Sequence, residues 1–173
     1  FGFISTSNNN QTTINKYSGN LPSFCTVFQS ELTALTEVGR SLHHQHNANI
    51  HILTDSSSSI NAINQPYTNS TTILNCYKAL NKLALQNTVH ISWVPGHCNI
   101  WGNEQADVLA KSGLTSNNKH KGYLPQSFIK RAIDSKVALL DEQRWETHGT
   151  KHTNLTINNT KNHITHLNKT FHN

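Results

Sequence analysis

Methionine is absent from this chain, and acidic side chains are scarce, nine Asp and Glu against 14 Lys and Arg. Scarcity makes the placement of each carboxylate informative. No apolar run approaches the roughly 20 residues needed to span a bilayer, so no membrane partner is expected. The three cysteines, Cys25, Cys76 and Cys98, are odd in number, far apart and free of any CxxC pair. That excludes a disulfide framework and a zinc knuckle as organising principles and fits a reducing, intracellular compartment, cytoplasmic or nuclear. The chain starts at Phe1 with no methionine anywhere, which points to a piece of a longer reading frame.

The positive charge is unevenly placed. Residues 1 to 113 carry five Lys/Arg and five Asp/Glu, whereas residues 114 to 173 carry nine and four, so the whole +5 excess lies in the last third. A basic flank suits a polyanionic partner, because each phosphate contact releases counterions.

Hydrophobic period divides the first two thirds into elements. Phe1 to Ile4 and Ile14 to Tyr17 read as strands around a polar loop, Ser5 to Thr13, and Gly19-Asn20 with Pro22 marks the next turn. From Phe24 to Leu42 the period becomes helical: Phe28, Leu32, Leu35, Val38 and Leu42 share a face, Glu31 lies beside it, and Gly39 is a weak point. Ala48 to Leu53 alternates as a strand and delivers Thr54-Asp55 at its end. Ser56 and Ser57 are good caps for a short helix through Ile60 and Ile63, closed by Pro66. Thr71 to Leu85 is amphipathic, and Val89 to Val94 is β-rich until Pro95-Gly96 breaks it. His97 follows the break, Gly102 and Asn103 sit in a loop, and a helix runs from Glu104 to Gly113 with Asp107 in its first turn.

That order predicts an α/β fold, a mixed sheet with helices packed on it. The domain spans residues 1–113, residues 114–123 form a polar linker, and 124–148 a helical extension. From Gly149 the chain is Asn, Thr, His and Lys, which predicts a disordered tail over 149–173.

Glu31, Asp55 and Asp107 are the carboxylates that this order carries towards strand ends and helix starts, where α/β sheets collect ligands. Brought together they repel unless a hard cation sits among them, and Mg²⁺ or Mn²⁺ is its natural occupant. Taken singly, Asp55 and Asp107 also fit helix capping, and Glu31 an ordinary half-exposed helix position.

Three stretches together resemble a known family. FQSELTAL (28–35), ILTDSSSSINAI (52–63) and WVPGHCNIWGNEQADVLAKSG (93–113) are similar, in order, to the second, third and fourth acidic motifs of type 1 ribonuclease H. The WVPGH, GNE and AD-x-LAK pieces most resemble the ribonuclease H domains attached to non-LTR retrotransposon reverse transcriptases. The resemblance covers about residues 1–113 and implies a ribonuclease H-like fold that hydrolyses the RNA strand of RNA/DNA hybrids. It implies Glu31, Asp55 and Asp107 as ligands of Mg²⁺ or Mn²⁺, two ions in an intact site, and His97 as the loop histidine assisting water activation or product release. Gln29, Ser57 and Asn103 are the candidates for contact with the hybrid's minor groove, where the 2′-OH distinguishes RNA from DNA. A reverse transcriptase in a parent polyprotein is the implied covalent partner. By the same resemblance Phe1-Gly2-Phe3-Ile4 matches the family's second strand, which sets the first strand and its aspartate before Phe1. A non-catalytic nucleic-acid-binding remnant and another nuclease or transposase of the same fold stand as alternatives.

Overall fold

The computed structural model describes residues 1–7 and 12–148, so the expectation for the 149–173 tail falls outside the described residues. The chain forms two compact units, Phe1–Pro125 and Gln126–Asn173. The first holds strands β1 (Gly2–Ser7), β2 (Thr12–Ser18), β3 (Asn49–Thr54) and β4 (Thr88–Trp93). Its helices are α1 (Val27–Ser41), α2 (Ser57–Ile63), α3 (Thr71–Ala84) and α4 (Trp101–Gly113). In the second, α5 (Gln126–His148) carries Ile129, Ile133, Val137 and Leu140 exposed along its length.

The expected α/β architecture with mixed strand directions holds, in two two-stranded pieces. β1 and β2 pair antiparallel, and β3 and β4 pair parallel. The hairpin strands reach further into the polar stretch than side-chain character suggests, to Ser7 and back to Thr12. Backbone pairing between neighbours satisfies N–H and C=O groups whatever the side chains are.

The main core lies between β3–β4 and the two long helices. Leu32 and Leu35 of α1, Ile52 of β3, and Cys76 and Leu80 of α3 are buried together, with Phe28, Val38, Ile50, Val89 and Ile91 packed round them. The expected apolar face of α1 is thus the one that is buried. Burial also pushes the Cys76 thiol up to about 11, in keeping with an inert core residue. Phe1 and Phe3 are buried beside Tyr17, whose ring stacks on Phe3 at 5.3 Å.

Three local expectations are corrected. Helix α1 starts at Val27 rather than Phe24, because Thr26 is its N-cap: Gln29 N–H donates to Thr26 Oγ1 and Thr26 N–H to Gln29 Oε1, a capping box. Helix α4 starts at Trp101 rather than Glu104, which places Asp107 in its second turn and Glu104 in its first. No side chain caps it. A tertiary contact from Asn103 to Asp55 holds a stretch whose Gly and Asn read locally as loop. Gly39, read as a weak point, is instead a buried helix crossing. A Cβ there would lie 2.9 Å from the carbonyl carbon of Ala79 on α3. A missing side chain permits this approach.

Residues 114–123 are not extended away from the first unit. Asn20 N–H donates to Asn118 O and His120 N–H to Asn20 O, and the Tyr17 hydroxyl lies 3.0 Å from His120 Nε2. Tyr123 O accepts from Gln29 Nε2 at 2.9 Å.

Candidate active site

Three elements each deliver one carboxylate. Glu31 lies in the second turn of α1, partly buried beside Leu32. Asp55 follows the last residue of β3, and α4 carries Asp107. The Glu31 carboxyl is raised above the usual carboxylate range, first by burial and then by the charges of Asp55 and Asp107. The structure therefore brings the three into one electrostatic neighbourhood.

Asp55 is the most tightly held. Asn103 Nδ2 donates to its Oδ2 at 3.1 Å, Trp93 Nε1 donates to its backbone carbonyl at 3.0 Å, and the Ser57 N–H reaches the same carbonyl at 3.2 Å. Gly96 passes so close that a Cβ there would meet Asp55 Oδ2 at 3.0 Å. The Pro95-Gly96 break is thus also a contact to the carboxylate.

His97 sits on the loop between β4 and α4, its side chain 82% exposed, with Nδ1 3.6 Å from Asp107 Oδ2. This is an ion pair only when the imidazole is protonated. The loop backbone is left-handed at both His97 (φ 55°) and Asn99 (φ 56°), conformations that non-glycine residues adopt at a cost. Glu104 was not among the residues expected here. His97, Glu104 and Asp107 each offer one ligand atom, and these lie within 4.8 Å of one another. The signal was available: Glu104 and Asp107 are three apart, and i,i+3 residues share a helix face.

The candidate hybrid contacts are placed differently from one another. Ser57 is exposed at the start of α2. The Asn103 amide is engaged with Asp55. Gln29 is committed to capping Thr26 and holding Tyr123, and at about 100° per residue it faces away from Glu31. It lines a separate cavity of about 310 Å³ with Thr33, Glu37, Arg40, His120 and Tyr123. None of the three carboxylates lines that cavity.

A family model described as RNase H matches residues 1–115. The chain belongs to the RNase H family. The matched residues include the three stretches described above, with Glu31 on α1, Asp55 after β3, and His97, Glu104 and Asp107 between the end of β4 and the end of α4. The all-oxygen set of Glu31, Asp55 and Asp107, with Glu31 destabilised as an anion by burial and by its two neighbours, fits the hard divalent cations that RNase H domains use. Membership supports a nuclease of the hydrolase class acting on nucleic acid. No helix among the described residues is long and apolar enough to cross a membrane.

Proposed function

We propose that this chain is a type 1 ribonuclease H domain of retroelement origin that hydrolyses the RNA strand of RNA/DNA hybrids with a divalent metal. The observation that carries the reading is the Glu31 carboxyl, raised by its burial and by the charges of Asp55 and Asp107. Uncompensated, its charge is a cost to folding; with a cation between the carboxylates, the group becomes a binding site. Glu31, Asp55 and Asp107 are the proposed ligands of Mg²⁺ or Mn²⁺, with Glu104 beside Asp107 and His97. Such an ion, once bound, lowers the pKa of water and offsets charge on the leaving oxygen.

The chain's own groups set the geometry. Asn103 and the Trp93 indole fix the Asp55 carboxylate and backbone, so that its oxygens meet a ligand without reorganisation. His97, exposed and beside Asp107, exchanges a proton with solvent at the reacting phosphate or on release of product. Ser57 is free to face the minor groove, and Gln29 and Asn103 act on substrate through the parts they hold in place. The retroelement origin, with a covalently linked reverse transcriptase, rests on the WVPGH, GNE and AD-x-LAK pieces. The basic excess after residue 113 suits a hybrid's phosphates.

Cleavage of a labelled RNA/DNA hybrid in Mg²⁺ tests this reading, with Asp55→Asn as the control. Release of RNA fragments that the substitution abolishes is expected, and a rate untouched by it sinks the site assignment. Hybrid binding without cleavage would mark a non-catalytic remnant. Cutting of duplex DNA would mark a different nuclease on this fold.

A further inference from the structure

The outer face of β3–β4 takes no part in the reading above. Ile50 and Ile52 of β3, and Val89 and Ile91 of β4, point into the core. Strand alternation therefore sends Asn49, His51 and Leu53, together with Thr88, His90 and Ser92, to the opposite face, where all six are exposed. The parallel register sets His51 directly beside His90. Their rings lie nearly parallel, with centroids 5.0 Å apart and planes 23° apart. Neither ring nitrogen has a hydrogen-bond partner among the described residues, and the four flanking side chains carry no charge.

We infer that His51 and His90 form a bidentate site for a divalent transition cation of the Zn²⁺, Cu²⁺ or Ni²⁺ class. Metal–imidazole bonds are about 2.0–2.1 Å, so two nitrogens on one ion come to about 3 Å of each other. Exposed rings 5.0 Å apart at their centres reach that separation by side-chain rotation alone. The donors are neutral imidazoles with no carboxylate, so borderline ions following the order Cu²⁺ above Ni²⁺ bind, while Mg²⁺, which wants oxygen, does not. This separates the site chemically from the carboxylate cluster. The chelate would also join the strand that ends at Asp55 to the strand that leads to the His97 loop. Among the described residues each strand of this two-stranded sheet has one partner, so a cross-strand ligand bond stabilises the pairing.

The test is titration of the whole chain with Cu²⁺ and with Ni²⁺, followed by calorimetry and by broadening of imidazole NMR signals. His51→Thr and His90→Thr keep β-forming residues at exposed positions. Each is expected to weaken one equivalent of binding at least tenfold, to abolish broadening of the other ring's signal, and to remove a metal-dependent rise in the unfolding midpoint. A tenfold excess of Mg²⁺ should leave the wild-type isotherm unchanged. A His43→Asn/His44→Asn variant controls for the neighbouring ring pair, whose centroids are 5.8 Å apart. His97→Asn controls for the carboxylate cluster. Weakening of less than tenfold in both Thr variants, or a loss that follows only the control substitutions, overturns the inference.

Discussion

Gly39→Ala separates two lines of reasoning because they disagree in sign. Helix propensity alone favours Ala over Gly by about 0.8–1.0 kcal/mol, so a surface helix would gain stability. In α1 the new Cβ would lie 2.9 Å from the Ala79 carbonyl carbon, 3.0 Å from its oxygen and 3.2 Å from its Cβ. Two of these are backbone atoms, which cannot rotate aside, so α1 and α3 must separate or shift across the core of Leu32, Leu35, Cys76 and Leu80. Overpacking of this kind costs about 1–3 kcal/mol. The balance is a net loss of about 1 kcal/mol. Urea unfolding followed by circular dichroism should show the midpoint lowered by about 0.5 M with an unchanged slope. Ala79→Gly removes only the 3.2 Å contact and itself costs about 0.8–1.0 kcal/mol of helix propensity, so the relief should appear as coupling, the double variant losing less stability than the two single variants summed. A Gly39→Ala protein more stable than wild type would refute the helix-crossing argument.

Other consequences follow from the site. Folding raises the Glu31 carboxyl above its ordinary 4.5, so the folded state disfavours its charge: the penalty is absent below pH 4.5 and grows as pH rises through the raised value. Glu31→Gln should therefore abolish hybrid cleavage yet raise the unfolding midpoint at neutral pH, and Mg²⁺ should stabilise wild type more than the variant. A variant less stable than wild type at pH 7 would contradict this. At His97, with φ 55°, Gly and Ala replacements should both cost on the order of 10²-fold in rate. In stability, Gly should exceed Ala by about 1 kcal/mol, measured by thermal unfolding, because only Ala bears the left-handed cost. Asn103→Ala frees the Asp55 carboxylate and should lower cleavage about 10–100-fold, chiefly by raising the Mg²⁺ needed for half-maximal rate. An unchanged Mg²⁺ dependence would count against a positioning role.

Much of the fold was legible because period and punctuation are local. The face of α1 that carries Leu32 and Leu35, the β3 run ending at Thr54-Asp55 and the Pro95-Gly96 break all depend on spacing within a few residues of sequence. The same holds for Ser56, whose hydroxyl accepts from Ser59 N–H at the start of α2. The α1 start was missed on a local signal, the Thr26–Gln29 capping box, whereas the α4 start and the role of Gly39 depend on partners far away in sequence. Trp101 to Asn103 are helical while Asn103 reaches 48 residues back to Asp55, and Gly39 packs against Ala79 of α3. The strap over 114–123 is mostly polar, and its packing rests on backbone pairing with Asn20 and on His120 beside Tyr17.

By itself the sequence determined the element order and the identity of three carboxylates and a histidine in a family's arrangement, because these need only residue type and spacing. Tertiary structure alone decided that Glu31 feels Asp55 and Asp107, that Glu104 joins His97, and that Gly39 is a crossing point. Charge repulsion, ligand grouping and steric fit depend on distances through space. Distances between residues tens of positions apart are set when the helices close on the sheet.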